Sequence, residues 1–323
     1  MKAIVYTRYG PPDVLQFKDV PTPAPADGEV LIKVRATSVN PLDWHFMRGE
    51  PWLLRLLMGL RQPKDTRLGV DVAGQVEAVG KNITQFKPGD EVFGVGRGAW
   101  AEYACAREDQ LALKPAGLSF EAAAAVPVAA ITALQGLRDM GRIQPGCKVL
   151  IDGASGGVGT FAIQIAKSFG AEVTAVCSTS KVDTARAIGA DHVIDYTRED
   201  FTRGAPRYDL ILGANAYHSL FAYRRALGED GVYVMAGGRA TLSAMLLEPL
   251  LSMILSAMGR KKLRGFIAKL NKPDLMLLKG LLEEGKVAPV IDRSYPLSNM
   301  AEAVRYLEEG HARGKVVIPI AQS

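Results

Sequence analysis

The sequence predicts an α/β protein of two domains: a doubly wound parallel sheet with covering helices, and a smaller, partly closed β domain. Three observations predict it. The chain has 323 residues, more than a single core usually organises. Its first 120 or so residues read as short strands separated by turns. Beyond them strands and helices alternate, and one strand–helix junction is rich in glycine.

The opening MKAIVYTRYG alternates as a strand does and lacks the apolar core of a signal peptide. The segment Val30 to Val34 follows the structure-breaking run PTPAPADGE and reads as a strand. Val70 to Val79 is another, with Gly74 marking a bulge or a close backbone approach. Lys87-Pro88-Gly89-Asp90 is a turn leading into Glu91-Val92-Phe93. The stretch Glu121 to Met140 has helical character, kinked or divided at Pro127.

Strands are then expected at Lys148–Asp152, Glu172–Cys177, His192–Asp195, Tyr208–Leu212 and Gly231–Met235. Helices are expected at Val158–Phe169 and Val182–Ile188, and this alternation argues for a parallel sheet. The helices Asp274–Glu284 and Met300–Glu309 and the strand Lys315–Ile320 are expected to rejoin the first domain. The division expected is 1–122 with 267–323 for the substrate-side domain, and 123–266 for the parallel-sheet domain.

Composition narrows the function. With 48% hydrophobic and 23% charged residues the chain is an ordinary packed protein. The net charge of +5 is modest, and its densest basic run, Arg260-Lys261-Lys262 with Arg264, reads as a solvated helix end. No zinc finger or RNA-binding aromatic signature accompanies it, so no nucleic-acid partner is expected. Three scattered cysteines, Cys105, Cys147 and Cys177, argue against a disulfide framework and suit the cytoplasm. The apolar run Leu242 to Met258 is broken by Glu248 and Pro249 and falls short of the roughly 20 residues that span a bilayer. It reads as a core or interface helix, and stable membrane insertion is not expected.

The most informative run is VLIDGASGGVG, from Val149 to Gly159. A buried-type strand feeds a small-residue turn that opens a helix. Ala154, Ser155, Gly156, Gly157, Val158 and Gly159 match the G-x-G-x-x-G fingerprint with alanine in the first glycine place. Small residues let backbone approach a pyrophosphate, which the helix N-terminus then stabilises, as in the Rossmann fold. An NAD site places a carboxylate about 20 residues on, at the end of the second strand. Here Cys177-Ser178-Thr179-Ser180-Lys181 stands instead. Hydroxyls and a lysine suit a 2′-phosphate, so NADP(H) is the expected cofactor, with Ser178, Thr179 and Lys181 as contacts.

The chain also resembles a known family. MKAIVYTRYGPP, SVNPLDW, KPGDEVFG, GASGGVG, GADHVIDY and ARGKVVI are similar, end to end, to medium-chain dehydrogenases/reductases of the zinc-free, quinone oxidoreductase-like branch. The resemblance implies a GroES-like partial barrel made from both chain ends, enclosing a Rossmann domain. It also implies a cofactor in the cleft between the domains, and frequently a homodimer. It places Asn40 and Asp43 of SVNPLD near the nicotinamide, Thr132 of AAITAL at the nicotinamide ribose, and Lys181 at the phosphate. Tyr196 of VIDY falls beside the adenine half, and Gly237 and Gly238 where the backbone passes the nicotinamide. Gly213-Ala214-Asn215-Ala216 departs from the Asp and Val-Gly pair that relatives often carry after that strand. Where zinc-dependent relatives have ligands, this chain has Asn40, Gly69-Val70-Asp71 and Val128. Independently of the family, four histidines and three separated cysteines offer no spacing for a catalytic zinc site, so no metal is expected.

Without a metal to polarise a carbonyl, a conjugated acceptor is the easier substrate. The expected activity is NADPH-dependent hydride transfer to a small molecule, a quinone or an α,β-unsaturated carbonyl. Alternatives are a zinc-free alcohol or aldehyde reductase, an enoyl-thioester reductase, or a silent NADPH-binding regulatory protein. Asn40 is a candidate hydrogen-bond donor to a developing oxyanion, or a brace for the turn before Pro41. Asp43 is a candidate base or a buried structural acceptor, and His45 a candidate proton donor or a packed ring beside Trp44 and Phe46. Pro51 to Met58 reads as a short apolar helix, either lining a substrate entrance or packing as core or dimer contact.

Overall fold

A computed structural model of the protein describes residues 1–204, 207–238 and 242–321. In chain order, β1 (Lys2–Val5), β2 (Gln16–Asp19) and β3 (Glu29–Val39) lead into helices α1 (Pro41–Arg48) and α2 (Arg55–Met58). Strands β4 (Asp71–Val79), β5 (Glu91–Val95), β6 (Tyr103–Arg107) and β7 (Leu111–Leu113) follow, then α3 (Phe120–Ala124) and α4 (Pro127–Gln135). The alternating stretch comprises β8 (Lys148–Asp152), α5 (Gly157–Ser168), β9 (Glu172–Cys177), α6 (Val182–Ala187) and β10 (His192–Asp195). It continues with β11 (Tyr208–Gly213), α7 (Leu220–Ala226), β12 (Leu227–Met235), α8 (Leu242–Ala257) and β13 (Lys262–Gly265). The last elements are α9 (Lys272–Glu283), β14 (Ile291–Ser294), α10 (Met300–Glu308) and β15 (Lys315–Pro319).

The chain folds as two compact units: Met1–Ile131 with Lys269–Glu284 and Pro289 onward, and Thr132–Ala268 with Gly285–Ala288. The first crossing therefore falls at Ile131/Thr132 rather than at 122/123. The reason is packing: Ala123 and Ala124 of α3 are fully buried, and the Val128 N–H donates to Asp71 on β4 at 2.9 Å. The short piece Gly285–Ala288 joins the second unit because the Gln164 side chain holds both backbone groups of Ala288, at 2.9 and 2.8 Å.

In the first unit the main sheet runs β14-β15-β3-β4-β5-β7, with β6 also on β3, and β1 and β2 pair separately. The long strand β3 is buried along most of its length and organises a core that includes Ile32, Val34, Val72, Val92, Trp100, Leu111 and Val316. Gly74 is the close approach its strand position implies, since a Cβ there would meet the Lys33 carbonyl oxygen at 2.2 Å.

The second unit is a parallel sheet in the order β10-β9-β8-β11-β12-β13. The order reverses between β8 and β11, which is where a doubly wound sheet opens a crevice at its carboxyl ends. Leu150, Val176, Ile211, Tyr223, Tyr233 and Leu263 form its core.

Two local readings are refined and two change. Glu121–Met140 is divided, as Pro127 allows, and its last turn, Gly136–Met140, is a π-helix. The helix α1, read as part of a β-rich stretch, forms because Asn40 is extended, Pro41 starts the helix, and the Asp43 carboxylate accepts from the Asn40 N–H. The segment Pro51 to Met58 is a 3₁₀ turn, Trp52–Leu54, followed by α2. The basic run holds an edge strand, β13, rather than a solvated helix end. Arg260 pairs with Asp230, Lys261 caps the Arg224 and Leu227 carbonyls, Lys262 those of Ser256 and Gly259, and Arg264 that of Met140. In α8 the side chains through 246 lie outside the described residues. Among the described residues no helix is long and apolar enough to cross a membrane.

Candidate active site

In the second unit the glycine loop joins β8 to α5 at the switch point. Gly153 has φ +78°, and a Cβ there would strike Asn215 at 2.5 Å. A Cβ on Gly159 would meet the Gly153 carbonyl oxygen at 2.2 Å and Ala154 at 2.6 Å, so this glycine seats the helix against the loop. Gly156 differs: a Cβ there would find only the Gly153 oxygen, at 3.7 Å. Gly156 is the extended N-cap of α5, with no side chain capping the helix. Ala154 is buried, and Ser155, Gly157 and Val158 are half-buried along the same turn. The loop thus offers open backbone at an uncapped helix N-terminus, which fits a diphosphate.

The carboxyl ends of β11 and β12 meet this loop. Ala214 and Asn215 N–H groups donate to the Asp152 carbonyl (2.9 and 3.2 Å), and Ala236 and Gly237 N–H groups to that of Gly213 (2.9 and 3.0 Å). Gly238 bridges to Ala216. The segment that departs from the family pattern is therefore packed between the glycine loop and the Gly237-Gly238 backbone. Below it, Asp152 is buried and accepts from the Tyr223 hydroxyl at 2.5 Å. Burial raises the Asp152 pKa against that hydrogen bond, and burial with the nearby Asp152 charge raises that of Tyr223. Thr132, half-buried on α4, begins the same unit.

After β9, Ser178 and Lys181 are half-buried and Thr179 is exposed. The Thr179 hydroxyl donates to Asp195 at the end of β10 (2.5 Å), and that hydrogen bond holds the Asp195 carboxyl below its usual range. Sequence reading missed this acid, because Asp195 reaches the β9 end only through the parallel pairing of Asp195 with Cys177. The next residue, Tyr196, is 59% exposed, an open aromatic face beside that end.

In the first unit the candidates Asn40 and Asp43 belong to a buried polar network. Asn40 is 2% exposed and Asp43, Asp71 and Ser38 are fully buried. The Asn40 side chain donates from Nδ2 to Asp71 Oδ2 (2.8 Å) and accepts at Oδ1 from Lys315 Nζ (2.6 Å). Lys315 also stands 3.2 Å from Asp71 Oδ2, with 3% of its side chain exposed. Ser38 donates to the same oxygen at 2.5 Å, and Val128 N–H to the other. The amide of Asn40 is thereby fixed at both ends, the bracing arrangement. Asp71 and Lys315, not Asn40, are the hub. Asp43 accepts from Asn40 N–H at 2.9 Å, while its Oδ1 has no hydrogen-bond partner. Burial, and next the neighbouring Asp71 charge, push its carboxyl up to about 7.

His45 is not part of this network. Its ring lies 3.7 Å from that of Trp44, Nδ1 is 3.1 Å from the Glu50 carbonyl oxygen, and burial lowers its pKa. Among the described residues no group of three or more His, Cys, Asp or Glu is placed to hold a metal ion.

A parallel dinucleotide sheet with this loop, joined to a β-rich unit built from both ends of the chain, defines an oxidoreductase of the dehydrogenase/reductase type. Residues 26–116 match the model of the alcohol dehydrogenase GroES-like domain, and residues 188–318 that of a zinc-binding dehydrogenase domain. The chain is 37% identical to 2-methylene-furan-3-one reductase of Solanum lycopersicum, over 98% of this chain and 79% of that protein. It is 34% identical to the chloroplastic NADPH-dependent alkenal/one oxidoreductase of Arabidopsis thaliana, again over 98% and 79%. The structure of the quinone oxidoreductase from Coxiella burnetii superposes with a TM-score of 0.87, at 31% identity, covering 99% of each chain. The chain belongs to the medium-chain dehydrogenase/reductase superfamily, in its quinone oxidoreductase-like branch.

Proposed function

We propose that the protein is a zinc-independent, NADPH-dependent reductase of quinones or α,β-unsaturated carbonyls. The observation that carries this reading is the loop from Gly153 to Gly159, whose open Gly156 backbone and uncapped α5 terminus suit a dinucleotide diphosphate. Ser155 to Val158 would hold the diphosphate, Ser178 and Lys181 the 2′-phosphate, and Tyr196 would cover the adenine. Thr179, whose hydroxyl is committed to Asp195, would act by shaping the turn. Thr132, Gly237 and Gly238 would border the nicotinamide half.

Bound NADPH supplies a hydride. The protein's part is to place cofactor and acceptor and to keep the surrounding charge fixed. Zinc independence is supported by what stands at the ligand positions of zinc-dependent relatives. Asn40 and the Val128 N–H both converge on Asp71, and the Lys315 ammonium is the cation among them. No Lewis acid is required where the acceptor spreads the incoming charge over a conjugated system. The names of the enone and quinone reductases above support that acceptor class. A homodimer in the cytoplasm completes the proposal; three free cysteines suit that compartment.

The test is NADPH oxidation followed by absorbance with an ortho-quinone, an enal and a simple aldehyde, with NADH as control. Turnover of quinone or enal with NADPH preferred is expected. NADPH binding without turnover of any of the three would overturn the proposed activity.

A further inference from the structure

From Pro51 to Lys64 the chain carries no acidic residue, and it displays Trp52 (53% exposed), Leu56 (54%), Leu57 (80%) and Leu60 (63%). Exposed leucines on a mobile loop would mean little. These are held in place. The Arg55 guanidinium donates to the Gly49 and Arg48 carbonyls (3.0 and 3.1 Å) and lies 4.6 Å over the Tyr9 ring. The Tyr9 hydroxyl donates to the Gly59 carbonyl (2.7 Å), and the Lys64 N–H to that of Met58 (2.8 Å). Gly59, at φ +120°, sits so close to the Gln62 carbonyl oxygen (2.2 Å from a Cβ) that no other residue fits. The fold therefore builds a platform whose apolar side chains point into water. A clustered, ordered apolar patch of this kind marks an interaction surface.

Charge decides what it meets. The exposed cations Arg61 and Lys64 have no side-chain partner; of the two flanking acids, Asp65 is paired with Arg97 at 2.6 Å and Glu50 is exposed, which leaves two free cations against one acid. Free Lys and Arg next to exposed Trp and Leu is the composition of a segment that lies in a membrane interface, rings and leucines at headgroup depth and cations on anionic lipid. Beside the exposed apolar residues of α8 (Leu247, Leu250 and Met253 among them) the described basic residues that follow, Arg260 to Lys262, are instead committed to Asp230 and to backbone carbonyls. We propose that residues 51–64 dock the protein reversibly on the surface of an anionic lipid bilayer.

The experiment is co-sedimentation of the full-length protein with vesicles of phosphatidylcholine alone and of phosphatidylcholine with phosphatidylglycerol. Binding to the anionic vesicles about tenfold or more above the neutral ones is expected, weakening as salt is raised. Arg61→Glu with Lys64→Glu should abolish the anionic preference, and Leu56→Ser with Leu57→Ser should lower binding about tenfold or more. All four side chains are exposed, so a thermal midpoint matching the parent's shows that the fold is kept. The parent's tryptophan emission should shift to the blue on anionic vesicles, and Trp52→Phe should remove the shift. No binding by the parent protein, or equal binding to both vesicles unaffected by the charge reversal, overturns the proposal. So does self-association of the parent that Leu57→Ser abolishes, which would make the platform a contact between copies of this chain.

Discussion

The ammonium of Lys315 stands 3.2 Å from Oδ2 of Asp71, and neither side chain is more than 3% exposed. With Asn40 and Ser38 also bonded to the pair, both charges are compensated inside the first unit. Taking one partner away leaves the other buried alone. Lys315→Met should therefore cost about 3–5 kcal/mol in urea unfolding at neutral pH. Adding Asp71→Asn should recover part of that loss. A single-mutant loss below about 1 kcal/mol would show that water reaches the pair.

Asp43 gives a pH signature. Its carboxyl rises from 3.8 when unfolded to about 7 when folded, so the folded state binds the proton more tightly. The sign follows: the group's contribution is full below about pH 4, declines as pH rises, and is gone above about pH 7. Asp43→Asn removes this titration. Relative to the parent, the variant should become more stable as pH rises from 4 to 7, by on the order of 4 kcal/mol. Equilibrium unfolding across that range checks it, and parallel curves would mean that Asp43 stays ionised in the fold.

The two glycines of the cofactor loop should separate stability from binding. Gly159→Ala forces a Cβ onto the Gly153 oxygen and should lower the thermal midpoint and cofactor affinity together. Gly156→Ala meets nothing closer than 3.7 Å and should keep the midpoint of the unliganded protein. Its NADPH affinity, read by fluorescence titration, should still fall about tenfold, because the proposed diphosphate site takes that open space. Unchanged affinity in Gly156→Ala would place the diphosphate elsewhere.

Lys181→Ala should raise the KM for NADPH about tenfold or more while leaving that for NADH nearly unchanged, as loss of a charge-assisted contact to phosphate requires. Steady-state kinetics with both nucleotides decides it. An equal change for both would show that Lys181 shapes the turn and does not read the phosphate.

Much of the second unit was legible because its signals are local. Strands such as Lys148–Asp152, Glu172–Cys177 and His192–Asp195 are short apolar runs, and their limits match the sequence reading. The glycine loop announces itself by composition. The polar network was not legible: Asp71 and Lys315 lie 244 positions apart, and a lysine opening a strand reads as exposed. Asn40 and Asp43 were found from a motif, but only the pairing of β15 with β3 shows that their surroundings are closed. For the same reason Asp195 escaped notice beside Thr179. The basic run misled because carbonyl capping by Lys261 and Lys262 leaves no periodic trace.

The placement of β15 also fixes an order of assembly. This strand lies between β14 and β3, and it brings Lys315 to Asp71. As the chain leaves the ribosome, the segment holding β3 and Asp71 emerges early, with one sheet edge open and an acid awaiting its counter-ion. The parallel sheet from Lys148 to Gly265 is fully synthesised before residue 315 exists, and domains fold as units once their residues are available. Of the two units, the one whose synthesis begins earlier is therefore the one completed later.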